Sequence, residues 1–141
     1  MAPGCSTAYD ESRWPFLLVT KGPEEQTEPE FTEHLATLSS YFRRGQRFGL
    51  VMDVRRSPIL SAERRRTASE RMEADMRQFG PLLVGVALVV SSPVSRGMFK
   101  ALLWLRPRQQ PPMLAFPTVE PAMQWLRDQL RKESRVTSVS T

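Results

Sequence analysis

Two serines, a proline and an arginine interrupt an apolar run in VVSSPVSRGMFKALLWL, residues 89–105. Such a turn could cradle a phosphate, activate a serine or cap a helix. A phosphate loop of the GxxxxGK[ST] kind needs glycines for close backbone approach and a lysine on the phosphates. Here one glycine, Gly97, follows the turn, which excludes that loop. A serine nucleophile needs a neighbouring base and a nucleophile elbow. The chain has no GxSxG, and its one histidine, His34, stands beside Leu35 in a helical stretch, as a surface or packing residue. One cysteine (Cys5) and one histidine leave no metal-ligand spacing. What the turn keeps is affinity for an anion, through the hydroxyls of Ser92 and Ser95, the amides at a helix start and Arg96. Against this stands the plainer reading, in which a serine caps the helix and Arg96 is solvated.

A second polar group, Asp53 with Arg55, Arg56 and Ser57, follows another apolar run. In open parallel sheets ligands sit beyond the carboxyl ends of the strands, and both groups fall there, as does Lys21. Arg55, Arg56, Ser92 and Arg96 could together hold a small anion or a lipid head group. Asp53 alone, without a neighbouring acid, does not make a phosphoacceptor site and is expected to pair with Arg55 or Arg56. No catalytic constellation and no cofactor site can be assembled, so the expectation is a protein that is not an enzyme.

The elements that must position these residues alternate. WPFLLVT (14–20) is rich in strand formers and ends at the turn residues of KGPEEQTEP. Pro29 suits the first turn of a helix carrying Phe31, Leu35, Leu38 and Phe42, which Gly45 stops. Residues 47–54 form a second strand. Ser61 is placed to N-cap a long helix, 62–79, with Ala68, Met72, Met76 and Phe79 on its apolar stripe. LLVGVALVV is apolar without alternation, as in a strand covered on both faces, and its segment 84–90 is expected at the centre of the sheet. A helix to Leu105, a short strand MLAFP and a helix capped by Thr118 complete a β-α-β-α-β-α-β-α order. That order predicts a single small α/β domain over 12–133, with a mostly parallel sheet of four to five strands flanked by helices. Residues 1–11 and 134–141 are expected to be flexible.

The helix at 95–105 carries more large apolar side chains than one sheet-facing stripe can use. Phe99, Leu103 and Trp104, with Lys100 beside them, fall outside the stripe of Met98, Ala101, Leu102 and Leu105. This face is expected to dock a protein partner or a second copy of the chain. The net charge of +5 allows an acidic partner. Basic residues alternate with acids, as in ERRRTASERMEADMR, without interleaved aromatics or a zinc-finger or RNP motif, so nucleic acid is not the expected target. No apolar run reaches the length of a membrane span, and the N-terminus lacks the pattern of a secretory signal. A cytoplasmic setting is expected.

FGLVMDVRRSP, the long charged helix, GVALVVSSPVSRGMFKALLWL and MLAFPTVEPAMQWLRDQL together resemble the SpoIIAA-like branch of the STAS superfamily. The resemblance runs over most of 14–130, and its most specific part is the pattern of Glu120, Ala122, Trp125 and Leu126. It implies a mostly parallel sheet flanked by helices, related in shape to the lipid-carrying Sec14 domains, and a regulatory binding module of bacterial-type signalling. Anti-sigma factor antagonists of the family are phosphorylated on a serine at a helix start after a core strand. Ser57 and Ser61 occupy that region here, although the Asp-Ser-Ser-Gly-like motif is absent. A phosphate on Ser61 would lie at a helix N-terminus beside Arg64 and Arg65.

Overall fold

The computed structural model describes residues 7–94, 96–97 and 111–139, with 133–139 by backbone alone. Strands β1 (Ala8–Arg13), β2 (Phe16–Thr20), β3 (Phe48–Asp53), β4 (Leu83–Val89) and β5 (Met113–Phe116) form one sheet in the order β1-β2-β3-β4-β5. β1 is antiparallel to β2, and every other pair is parallel. Helices α1 (Glu28–Phe42) and α2 (Ala62–Phe79) lie together, and α3 (Val119–Val139) lies on β3, β4 and β5. The mostly parallel α/β architecture is the expected one. β4 is an interior strand, paired on both sides, although β3 rather than β4 holds the middle of five.

Local chemistry fixes the helix ends. Ser61 caps α2, its Oγ accepting from the Arg64 amide at 3.1 Å. α1 starts one residue before Pro29 because Thr27 and Glu30 form a reciprocal capping box, each side chain accepting from the other's backbone amide.

β1 corrects the sequence expectation. AYDESR shows no apolar alternation, yet Ala8 to Asp10, within the segment expected to be flexible, pair with β2 in this edge strand. An edge strand needs little apolar surface, and here Tyr9 alone of β1 packs against the core. Side chains then tie it to α1. Glu11 accepts from the Tyr41 hydroxyl at 3.0 Å and from Arg44 at 2.6 Å, and the Arg44 guanidinium lies 4.4 Å over the Trp14 ring. Trp14 and Pro15 belong to the turn, so β2 starts at Phe16 rather than Trp14. At the other end α3 continues through Val139, so its backbone extends the domain into the 134–141 segment.

Strand alternation gives the sheet two different faces. Phe16, Leu18, Val51, Ala87 and Val89 look toward α3, where Ala122, Met123 and Leu126 are fully buried. Leu17 and Val19, and Phe48 and Leu50, look toward α1 and α2. So do Leu83 and Val86, which share this face because the β3–β4 register skips a residue between Leu83 and Gly85. On the α3 side Gly49 and Gly85 are closely approached: a Cβ at either would stand 3.1 Å from Leu126 methyl carbons, which would have to give way.

Candidate functional site

Between the sheet and the α1–α2 pair lies a cavity of about 540 Å³, within the range of small-molecule sites. Leu50 and Met52 of β3 and Val86 and Leu88 of β4 form its floor. Phe31, Leu35 and Leu38 of α1, and Ala68 and Met72 of α2, form its roof. The cause is legible in α2, whose sequence AERRRTASERMEADMRQF offers few large apolar side chains to fill the sheet-facing side. α1 and α2 accordingly contact each other more than they contact the strands. The cavity reaches the surface at the loop after β3, since Pro58, Ile59 and Leu60 line it and Ile59 is 64% exposed.

Polar groups gather at the carboxyl ends of the strands. Lys21 follows Leu17 and Val19 in alternation, which sets it on the cavity side, and it is only 6% exposed. Its amide donates to the Asp53 carbonyl at 3.0 Å, continuing the β2–β3 ladder by one residue. No acid among the described residues pairs with its ammonium. Burial, aided by the positive charge of Arg64, pushes the Lys21 amine down to about 8. His34, 4% exposed, also lines the cavity, and burial with Lys21 nearby lowers its imidazole to about 4. The ring is therefore neutral at pH 7, and its Nδ1 shares a hydrogen bond of 2.6 Å with the Tyr9 hydroxyl. At the far end Asp75, buried between the helices, accepts from Ser39 Oγ at 2.7 Å.

A recess of about 20 Å³ adjoins the same lysine and is lined also by Gln26, Ser57, Ser61 and Arg64. Arg64 is spoken for: it donates to the Gln26 carbonyl at 2.8 Å and to Glu28 at 3.0 Å, and it lies 4.9 Å over the Phe31 ring. Gln26 Oε1 is buried there without a partner among the described residues.

The residues expected to bind an anion are divided by the structure. Arg55, Ser57 and Ser92 line the cavity. Arg55 is held by Asp53 through two side-chain contacts of 2.9 and 2.7 Å and by its own backbone amide. Burial would raise the Asp53 carboxyl, but these bonds to Arg55 hold it below the usual carboxylate range. Arg56 is exposed and is not part of the lining. Arg96 closes the end of β4, its Nη1 donating to the Val90 and Ser91 carbonyls at 2.9 and 2.8 Å, while its amide donates to the Ser92 carbonyl at 3.0 Å. Ser57 Oγ donates to the Pro58 carbonyl at 3.1 Å, and Ser61 serves as the α2 cap. Ser95, Phe99, Lys100, Leu103 and Trp104 lie outside the described residues. Sequence reasoning placed Lys21 at a strand end without giving it a role, missed Tyr9 and set His34 aside. The Leu-Val-Lys alternation of β2 carried the signal for Lys21, whereas nothing in AYDESR marked Tyr9 as a partner for His34.

Among the described residues no three His, Cys, Asp or Glu side chains gather as metal ligands, and no helix is long and apolar enough to cross a membrane. No family profile and no curated protein matches the chain. Its fold does match the crystal structure of an uncharacterized protein of the DUF3478 family from Shewanella loihica PV-4, described as having a SpoIIAA-like fold. The two share 15% sequence identity over 85% of this chain and 91% of the other, with a TM-score of 0.59. The likeness is one of fold, and the domain is SpoIIAA-like in architecture.

Proposed function

We propose that this SpoIIAA-like domain is a non-enzymatic binding module that holds an elongated, mostly apolar small molecule between its sheet and the α1–α2 pair. The observation that carries this reading is the cavity of about 540 Å³, lined mostly by apolar side chains with charged groups among them, and open beside Ile59. A native interior is close-packed, with few voids larger than a water molecule. A hollow of this size therefore favours an occupant, and burying one Leu-sized group of that occupant contributes roughly 1.5–3 kcal/mol. Of the functions expected from the sequence, the ligand carrier is thus better supported than the docking module. Docking through 95–105 remains a second reading, favoured by Val94 at its threshold, which is 73% exposed.

The test is titration with the neutral apolar fluorophore N-phenyl-1-naphthylamine. Wild type should bind it saturably. Val86→Phe and Met72→Phe, which fill the cavity from opposite walls, should each weaken binding about tenfold or more, with unchanged far-UV circular dichroism. No saturable binding by wild type, or full binding by both folded variants, would reject the proposal.

A further inference from the structure

We propose that Lys21 is the anchor for a carboxylate, so that the occupant is a single-chain aliphatic carboxylic acid with its head at the carboxyl ends of β2 and β3. This inference rests on the cavity being a ligand site and names the ligand's class. Lys21 is 6% exposed, lines the apolar cavity and has no acid partner among the described residues. A buried charge is ordinarily paired, because desolvation is costly without compensation. Of the neighbouring acids, Asp53 grips Arg55 and Glu28 holds Arg64. Glu24 and Glu25 share the small recess beside the lysine but are exposed and make no ion pair with it, so an anion inside the cavity would come from outside the chain.

Surrounding groups define what that anion can be. His34 from α1 is neutral and adds no charge, and Arg64 from α2 spends guanidinium donors on Gln26 and Glu28. At the end of β3 Arg55 is neutralised by Asp53. Arg65 also lines the cavity here, but it is exposed and donates to the Leu60 carbonyl. Among the described residues Lys21 is thus the buried cation at this end without an ion pair, which suits one negative charge better than the two charges and many acceptors of a phosphate. Beyond it the floor of Leu50 and Val86 and the roof of Leu35 and Met72 are apolar, which suits an unbranched alkyl chain. Lys21 was drawn down to about 8 by burial, so near neutral pH it is charged and able to pair.

The experiment measures dodecanoate and dodecan-1-ol, each by displacement of N-phenyl-1-naphthylamine from the full chain at pH 7. Wild type should prefer dodecanoate by about tenfold or more, as expected for one charge-assisted contact. Lys21→Met, which keeps the length of the side chain and removes the charge, should bind the two ligands equally. Equal affinity of wild type for both would overturn the anchor while leaving the cavity reading intact, and this arm depends on no variant folding. A preference that survives in Lys21→Met would overturn it as well. If neither compound displaces a saturably bound fluorophore, the carboxylic-acid proposal is overturned and the cavity reading stands. If the fluorophore itself does not bind, the cavity reading fails and the anchor with it.

Discussion

The two faces of one sheet are built from adjacent residues of the same strands, yet among the described residues one is filled and the other borders a cavity. On the α3 side, glycines at 49 and 85 let Leu126 and Trp125 settle onto the backbone, with Leu126 and Met123 fully buried. On the opposite side, Leu50 and Val86 are just as inaccessible to solvent but border a cavity of about 540 Å³. Low exposure is therefore not the same as close packing. The difference lies in the covering helices. α3 presents Ala122, Met123 and Leu126 along one stripe, whereas α2 presents Ala68, Met72 and Met76 between arginines and glutamates. Among the described residues, one face is closed by its helix and the other is not.

The largest expected effect comes from truncating the filled face. Leu126→Ala would remove the side chain that touches both glycines, in surroundings that cannot collapse, and should cost about 3–5 kcal/mol in chemical denaturation. Leu50→Ala removes the same atoms beside a space that already exists. It loses the transfer contribution with little new cavity, so its cost should be about 2 kcal/mol. Equal losses would break the comparison, because they would mean that the hollow face is packed as tightly as the other.

How much of this could be read from the sequence follows the same division. β3, β4, α2 with its Ser61 cap and the final helix were all evident, since apolar alternation, continuous β-branched runs and capping residues are local signals. β1 was not, because an edge strand needs no apolar face and its support comes from Tyr41 and Arg44, some 30 residues away in sequence. The cavity could not be foreseen from periodicity: a stripe of Ala, Met and Phe predicts which side of α2 faces inward but not how far it stands from the sheet. Arg55 and Ser92 were correctly placed at the strand ends. Lys21 was seen as a strand-end residue, but its burial depends on α1 and α2 closing over it.

The hollow face also carries two buried bases, which make stability depend on pH. His34 stands at about 4 in the folded protein against an ordinary 6.5. Between those values the unfolded chain binds a proton that the folded one does not, so stability falls as pH drops from 6.5 toward 4. Lys21, at about 8 against 10.5, acts in the same direction at the alkaline end: stability rises from pH 8 to 10.5, and below 8 the folded state carries the full burial cost. Each effect is on the order of 3 kcal/mol. In urea titrations across pH, His34→Gln should flatten the acid limb, and Lys21→Met should stabilise the protein at pH 7. A Lys21→Met variant less stable than wild type at pH 7 would show that the ammonium has a favourable partner and would blur the distinction between the faces.

The smallest effect is the sharpest probe, because it compares two successive residues of β4. Gly85 faces α3, where an added Cβ would stand 3.1 Å from both Leu126 Cδ2 and Trp125 Cη2. The Leu126 methyl can rotate away, but the tip of the indole moves only with the whole ring, so Gly85→Ala overpacks this side. Overpacking typically costs about 1–3 kcal/mol. The lower chain entropy of alanine in the unfolded state returns about 0.4–1 kcal/mol of that, which leaves a net loss of about 1 kcal/mol. Val86 faces the cavity, and Val86→Leu adds one methylene to open space. Its expected effect is between zero and a gain of about 0.8 kcal/mol, the transfer value of one CH₂. Urea denaturation of the two variants reads the sign directly. A gain for Gly85→Ala together with a loss for Val86→Leu would reverse the assignment of the filled and hollow faces.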